Sequence, residues 1–590
     1  EPVQPTFTVE DAAGEARIRV TVNLSGRLIR EVNLPVLAGK TEPTIWTYEK
    51  RENIKENIKK HDWAKAELND YVSKADRYVG KEDQLWSMVV PEGLPRYYHA
   101  GDTRDPEKMY CRYPGCKANL EAKYGRYPYL TNAMTNPWKI QCPECKRRFP
   151  SNDFGTYYKS GLDEHGVFNP DFADRSLLVN KLYPEVDERY GYVNWGVDDG
   201  FGYFSGKTFG DNIPERHNPI AYYLHEGLWH GGALSGAITY LTQAYVYTGE
   251  AKYGRTGAIL LDRIADFYPD YDWSKWQGFR PDGYGGKTLD RIWECGLATK
   301  LAEAYDAFFP AYDDPQVVRF LSDKAKQYKM DNPKTSGALI RKNAEDGILR
   351  EIFDSCVDTS IYGNFGMTQE ALATAAIALD TMPETKEWLD WLMRPGNPAH
   401  RPRTGGNILP QLISVIDRDG MGNESSPGYN SAWLTYLLDA AELIHDYDKY
   451  SEVDLYNNPK FIKEFTAQLP VIMASYYTAQ IGDTSRTAST DMILNKDQIL
   501  IGYKRTGNPL FAQLLYMFNN NSIKGIHEDI TVKNPENIQK EILGIIEKYG
   551  EFNLGSHMMT GYGLAALRDG VKLSSESPEK SVNTLRDFWI

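Results

Sequence analysis

Strict alternation opens the chain. Between residues 6 and 48 apolar and polar side chains take turns, most clearly in ARIRVTVNL at 16–24. A period of two, rich in β-branched residues and bounded by Gly-containing turns, predicts strands. We therefore assign residues 1–50 to a small N-terminal β element. From Arg51 to Val79 the text turns rich in Lys, Glu and Ala and reads as helix. From Ala233 to Lys548 apolar residues recur at spacings of three and four, and Leu234, Ile238, Leu241 and Tyr245 share one face. Further helical stretches fall at 259–267, 292–309 (closed by Pro310), 372–379, 433–444, 461–469, 510–518 and 538–549. Paired helices in such succession predict a mainly α domain over 51–570, either an (α/α) solenoid or an (α/α) toroid, the incomplete toroid being the assignment adopted with the resemblance given below. No strict repeat separates a closed toroid from an open solenoid. The pattern changes again after Gly561. Residues 571–590, ending SVNTLRDFWI, read as the first strand of a further domain that the chain as given does not complete; the resemblance given below implies an antiparallel β-sandwich there.

Composition narrows the function classes. The 590 residues are 41% hydrophobic and 25% charged, which is globular, with ample material for a core. A net charge of −14 argues against nucleic acid as a partner. It leaves room for an anionic glycan, because a few Arg or Lys can line a cleft while the remaining surface repels. No apolar run is long enough to cross a bilayer, so no membrane partner is expected. The first residues, Glu1-Pro-Val-Gln, look like a mature end and predict a secreted or periplasmic protein. The 40 Tyr and 13 Trp suit sugar packing, although most are read as core.

Four of the six cysteines cluster as Cys111-x4-Cys116 and Cys142-x2-Cys145, inside an irregular stretch that runs over residues 95–215. Cys142-Pro-Glu-Cys145, followed by Lys146 and Arg147, looks like a zinc knuckle, and four thiolates suit a closed structural zinc site in an insertion at 108–150. Two disulfides are the competing reading, but the two-residue gap makes a Cys142–Cys145 bridge awkward. Cys295 and Cys356 stand alone and read as buried thiols.

Two loop-to-helix junctions carry the candidate chemistry. One is GNFGMTQ at 363–369, with Asn364 and Gln369; the other is DGMGNESSPGYN at 419–430, with Glu424 and Tyr429. Elimination across C4–O4 of a uronic acid needs the carboxylate neutralised, the C5 proton abstracted and O4 protonated. An amide such as Asn364 suits the first step and a phenol such as Tyr429 the others. Taken alone, the two residues read more readily as a turn Asn and a core Tyr.

The second segment resembles the catalytic-tyrosine segment of the heparinase II/III-like polysaccharide lyases, most closely those of the heparinase III type. Their Asp-Gly-Met…Glu-x-Ser-Pro-x-Tyr run is matched here by Asp419, Gly420, Met421, Glu424, Ser426, Pro427 and Tyr429. The resemblance implies that Tyr429 is the catalytic acid/base, that Asn364 neutralises the carboxylate, and that a helical toroid precedes a β-sandwich. It also implies a catalytic His from that sandwich, beyond residue 590. The expected activity is therefore β-elimination on a uronic-acid polysaccharide such as heparan sulfate, hyaluronan or chondroitin. An alginate lyase of the same architecture is the alternative, as is an (α/α)-toroid glycoside hydrolase using Asp419 and Glu424, or Asp198 or Asp199. A non-catalytic glycan-binding module is a third reading. Further substrate contacts are nominated at His225, Trp229 and His230, at Arg418 with Arg401 and Arg403, and at Glu424 and Gln369.

Overall fold

A computed structural model describes residues 5–12, 15–24, 27–35, 39–90, 111, 113, 115–125, 130–149, 151–169, 172–177, 232–272, 285–397, 401–424, 426–473, 477–478, 481–482, 495–552, 555–568 and 587–589. Among these the chain is mainly helical, with a few short strands.

The alternating N-terminal text forms an antiparallel meander of Pro5–Ala12, Glu15–Leu24 and Arg27–Pro35. In its register Val9 pairs with Ile18 and Val20 with Val32. The β element ends earlier than residue 50. Residues 39–46 are instead bound to the helical body by the buried Asp306. Its carboxylate accepts from Lys40 Nζ (2.7 Å) and from the N–H groups of Thr44 (2.7 Å), Ile45 (3.1 Å) and Trp46 (2.8 Å). Burial alone would raise the pKa of this carboxyl. The Lys40 charge and the donors reverse that and hold it below the usual carboxylate range.

The helices follow the apolar stripes closely. The stripe at 292–309 lies in Arg291–Phe308, with Asp290 accepting from Trp293 N as N-cap. The stripe at 433–444 lies in Pro427–Asp446, where Ser426 caps and Pro427 occupies the first turn. Ile538–Tyr549 forms with the expected ends. At the centre is Met367–Leu379, packed between Arg291–Phe308 and Pro427–Asp446. Its ALATAAIAL run is buried on every side, as a helix walled in by neighbours must be. The small Ala side chains let those neighbours come close.

Strand structure at the C-terminal end begins before residue 571. His557–Met559 and Leu564–Arg568 form a hairpin, and Asp587–Trp589 adds to it as a third antiparallel strand. The hairpin covers a small core of Met421, Ala467, Val471, Met559, Leu564 and Ala566. No helix among the described residues is long and apolar enough to cross a membrane.

Candidate active site and cysteine cluster

The two junctions are brought together. Phe365, next to Asn364, packs edge-on against Trp433, with ring centroids 5.2 Å apart. Gly366, at φ 96°, closes the contact. A Cβ there would lie 2.7 Å from Tyr436 Cβ and 2.8 Å from Leu437 N, so only glycine allows the loop to touch the Pro427–Asp446 helix. The Asn364 loop is pinned locally as well. Gly363 N donates to Thr368 Oγ1 (3.0 Å), and Met367 N donates to the Asn364 carbonyl (3.0 Å).

Between the junctions lies an open cavity of about 470 Å³. Arg291, Tyr362, Asn364, Gln411, Asn423 and Trp433 contribute to its wall, and Arg291 is the sole charged residue of the described lining. Three long helices begin at this wall: Arg291–Phe308 with Arg291 itself, Met367–Leu379 just after Asn364, and Pro427–Asp446 just after Asn423; the short helix Ile408–Ser414 runs along it. Their N-terminal ends add positive potential to the Arg291 charge. The described wall therefore carries one positive charge and no negative one, in an acidic chain. Arg291 and Arg403 both stack on the Tyr362 ring, at 5.2 and 4.7 Å from its centroid. Asn407 lines the cavity too, but both ends of its amide are bonded to the Gly396 main chain.

Asn364 stands in the wall. Tyr429 lies two residues into its helix, 37% exposed, and is not part of the lining. Glu424 is half-buried beside it, and its carbonyl accepts from Asn430 Nδ2 (2.8 Å), which fixes the turn into the helix.

Two nominated substrate contacts are corrected. Gln369 is 4% exposed; its Oε1 accepts from Gly366 N (2.9 Å) and its Nε2 donates to Gly406 O (2.7 Å). It caps the helix and ties the 401–407 loop, with no amide group left for a ligand. Arg418 faces away from the cavity and donates to Thr560 Oγ1 (2.7 Å) and Thr560 O (2.8 Å). Arg403 is buried under Tyr362, while Arg401 is exposed. His225, Trp229 and His230, with Asp198 and Asp199, lie outside the described residues. Arg291, Gln411 and Asn423 were not singled out from the sequence. The signal for Arg291 was its place directly after the capping Asp290.

The cysteine cluster closes as its spacing predicts. The Sγ atoms of Cys111, Cys116, Cys142 and Cys145 all lie within 4.8 Å of one another, none is in a disulfide, and the group can hold a metal ion. Glu144 N points at Cys142 Sγ (3.4 Å), the donor arrangement that steadies a thiolate. Short strands at 130–131, 140–141 and 148–149 frame the second pair. Cys295 and Cys356 are buried and free; burial raises both thiols, Cys356 to about 12.

No protein-family model matches the chain, and a search of curated proteins finds no match.

Proposed function

We propose that the chain is a polysaccharide lyase that cleaves a uronic-acid polymer by β-elimination, with a glycosaminoglycan such as heparan sulfate, hyaluronan or chondroitin as substrate. The observation that carries this reading is the cavity at the two junctions: one arginine, amide donors and three helix N-termini, with no carboxylate in its described lining. A negatively charged sugar ring fits such a site. Arg291 and Asn364 neutralise the uronate carboxylate, which acidifies C5–H. A phenolate base takes that proton, the C4–O4 bond breaks as the C4–C5 double bond forms, and O4 departs protonated. Tyr429 is assigned this acid/base work, at the mouth of the helix that carries Trp433 and follows the loop with Asn423. The hydrolase alternative needs two carboxylates flanking the scissile bond. Of its candidates, Asp419 is engaged elsewhere, with the main chain at Gly561 and Tyr562, and Asp198 and Asp199 lie outside the described residues.

In the same reading the helical succession is an (α/α) toroid, and the protein works outside the cytoplasm on its polymer. The cysteine cluster holds structural zinc. Zinc bound tetrahedrally at about 2.3 Å from each thiolate sets the sulfurs roughly 3.8 Å apart, and Cys111 Sγ and Cys145 Sγ stand at 3.7 Å. With four protein ligands the metal has no open position and serves the fold.

The test is incubation with heparan sulfate, hyaluronan, chondroitin and alginate while ultraviolet absorbance is followed. Unsaturated uronide should accumulate with at least one polymer. Tyr429→Phe should abolish turnover while the polymer still binds, and Asn364→Ala should lower it by about a hundredfold or more. Saturated products would replace this reading with hydrolysis.

A further inference from the structure

The loop that leads into the Tyr429 helix is fastened at its far side to the C-terminal hairpin. Consecutive side chains make the attachment. Arg418 donates twice to Thr560, through Nε to Oγ1 (2.7 Å) and through Nη2 to the carbonyl (2.8 Å). Asp419 Oδ2 accepts from Gly561 N (2.6 Å) and Tyr562 N (3.2 Å), an exposed and a half-buried amide of the hairpin turn. Asp417 shapes the loop from within: its Oδ1 accepts from Asp419 N (2.7 Å) and Met421 N (3.1 Å). Gly420, at φ 89°, lies so close to Lys463 O that a Cβ would sit 2.6 Å away. Met421 is fully buried with Met559 and Leu564 of the hairpin. Two residues further on, Asn423 reaches the cavity wall.

We propose that Asp419, with Arg418, is a positioning residue that latches the C-terminal hairpin to the catalytic loop, so that turnover depends on the hairpin although it adds no group to the cavity. The proposal rests on the lyase reading of the site. The physical reason is direct. A carboxylate accepting from two main-chain amides makes charge-assisted bonds, which fix direction as well as distance. The loop is anchored at 417–421, and 423–429 carries the groups said to act on substrate. Small displacements of such groups cost rate steeply. Releasing the anchor should leave the helical body folded, because the main core is built from other residues.

The experiment compares Asp419→Ala and Asp419→Asn in the full chain by thermal unfolding, hydrogen exchange and elimination kinetics. In Asp419→Ala, exchange at Gly561 and Tyr562 should rise about tenfold or more, and kcat should fall about tenfold or more with KM within roughly twofold. The Asn variant keeps an oxygen acceptor and should recover most of kcat, a rescue that loss of fold would not permit. Faster exchange with kcat unchanged in the Ala variant overturns the positioning role, and unchanged exchange overturns the latch itself. A parent protein that yields no unsaturated product, with exchange still accelerated in Asp419→Ala, overturns the lyase reading and leaves the latch as a contact of the fold. Should Asp419→Ala fail to fold, Arg418→Ala, altered at an exposed guanidinium, is judged by the same measurements and criteria.

Discussion

Arg291 bears the one charge in the described cavity wall, and its worth follows from the company it keeps. Its carbonyl accepts from Tyr362 N (3.1 Å) and its guanidinium stacks on the Tyr362 ring, so the cation is held against the loop that presents Asn364. Hydrogen bonds to a charged partner contribute about 1.5–3 kcal/mol, so Arg291→Ala should raise KM for the polymer roughly ten- to a hundredfold. Arg291→Lys should restore part of the loss, because a point charge replaces a planar fork. Equal kinetics for Arg291→Ala and the parent would remove Arg291 from the site. This residue was legible only after folding. In sequence a lone Arg following Asp290 reads as a surface charge on a helix start. It becomes informative when two other helix starts, far away in the chain, arrive at the same wall. Asn364 and the 419–430 segment were legible because Gly, Pro and Ser mark such junctions locally. Gln369 was misread for the same reason: the residue type that suits a ligand also suits a helix cap, and burial decides between them.

Elements whose periodicity is local were read well, and those that depend on distant partners were not. Ile538–Tyr549 carries its own stripe and matches at both ends. The hairpin at 557–568 was missed because HMM and LAALR show no alternation; their strand form depends on covering Met421 and on pairing with Asp587–Trp589. The Asp306 attachment was hidden likewise, since its donors precede it by more than 250 positions in the chain. The cysteine module is the opposite case, with spacing alone sufficient. Its strands are only two residues each, too short to hold together on hydrogen bonds. The metal should therefore supply most of the local stability. Elemental analysis should find a single zinc per chain. A strong chelator under reducing conditions should open 111–149 to proteolysis while the helical signal persists, and Cys142→Ser should do the same without chelator. A metal-free preparation with an unchanged cleavage pattern would defeat the zinc assignment.

At the scale of the whole molecule, the three long helices that bring their N-termini to the cavity carry acidic residues, Glu370 in the first turn of its helix and Glu303 and Asp439 further along theirs. Burial, followed by their mutual repulsion, pushes Glu303 up to about 7 and Glu370 to about 8. Asp439 is pushed up to about 6, by burial and then Glu442, but its side chain remains open to solvent, and water screens much of its share. The weight therefore rests on Glu303 and Glu370. Glu294, fully buried under Tyr268 and raised to about 7, acts in the same direction. In the unfolded chain a Glu loses its proton near pH 4.3, so between that value and about 8 the folded state holds protons that the unfolded state has released. Stability must then fall as pH rises through this window, because the unfolded state binds fewer protons. Asp306, held low, works the other way. Its contribution is present above the unfolded carboxylate value and is lost only as pH falls through its depressed folded value, outside the window. The thermal midpoint should accordingly be higher near pH 5 than near pH 8, and Glu370→Gln should flatten the slope by removing one of the raised carboxyls, which include Glu464, raised by full burial. A midpoint that is level or climbs from pH 5 to pH 8 would mean that these carboxyls ionise freely in the folded protein. Glu303 and Glu370, both half-buried, would then be as well solvated in the folded chain as in the unfolded one.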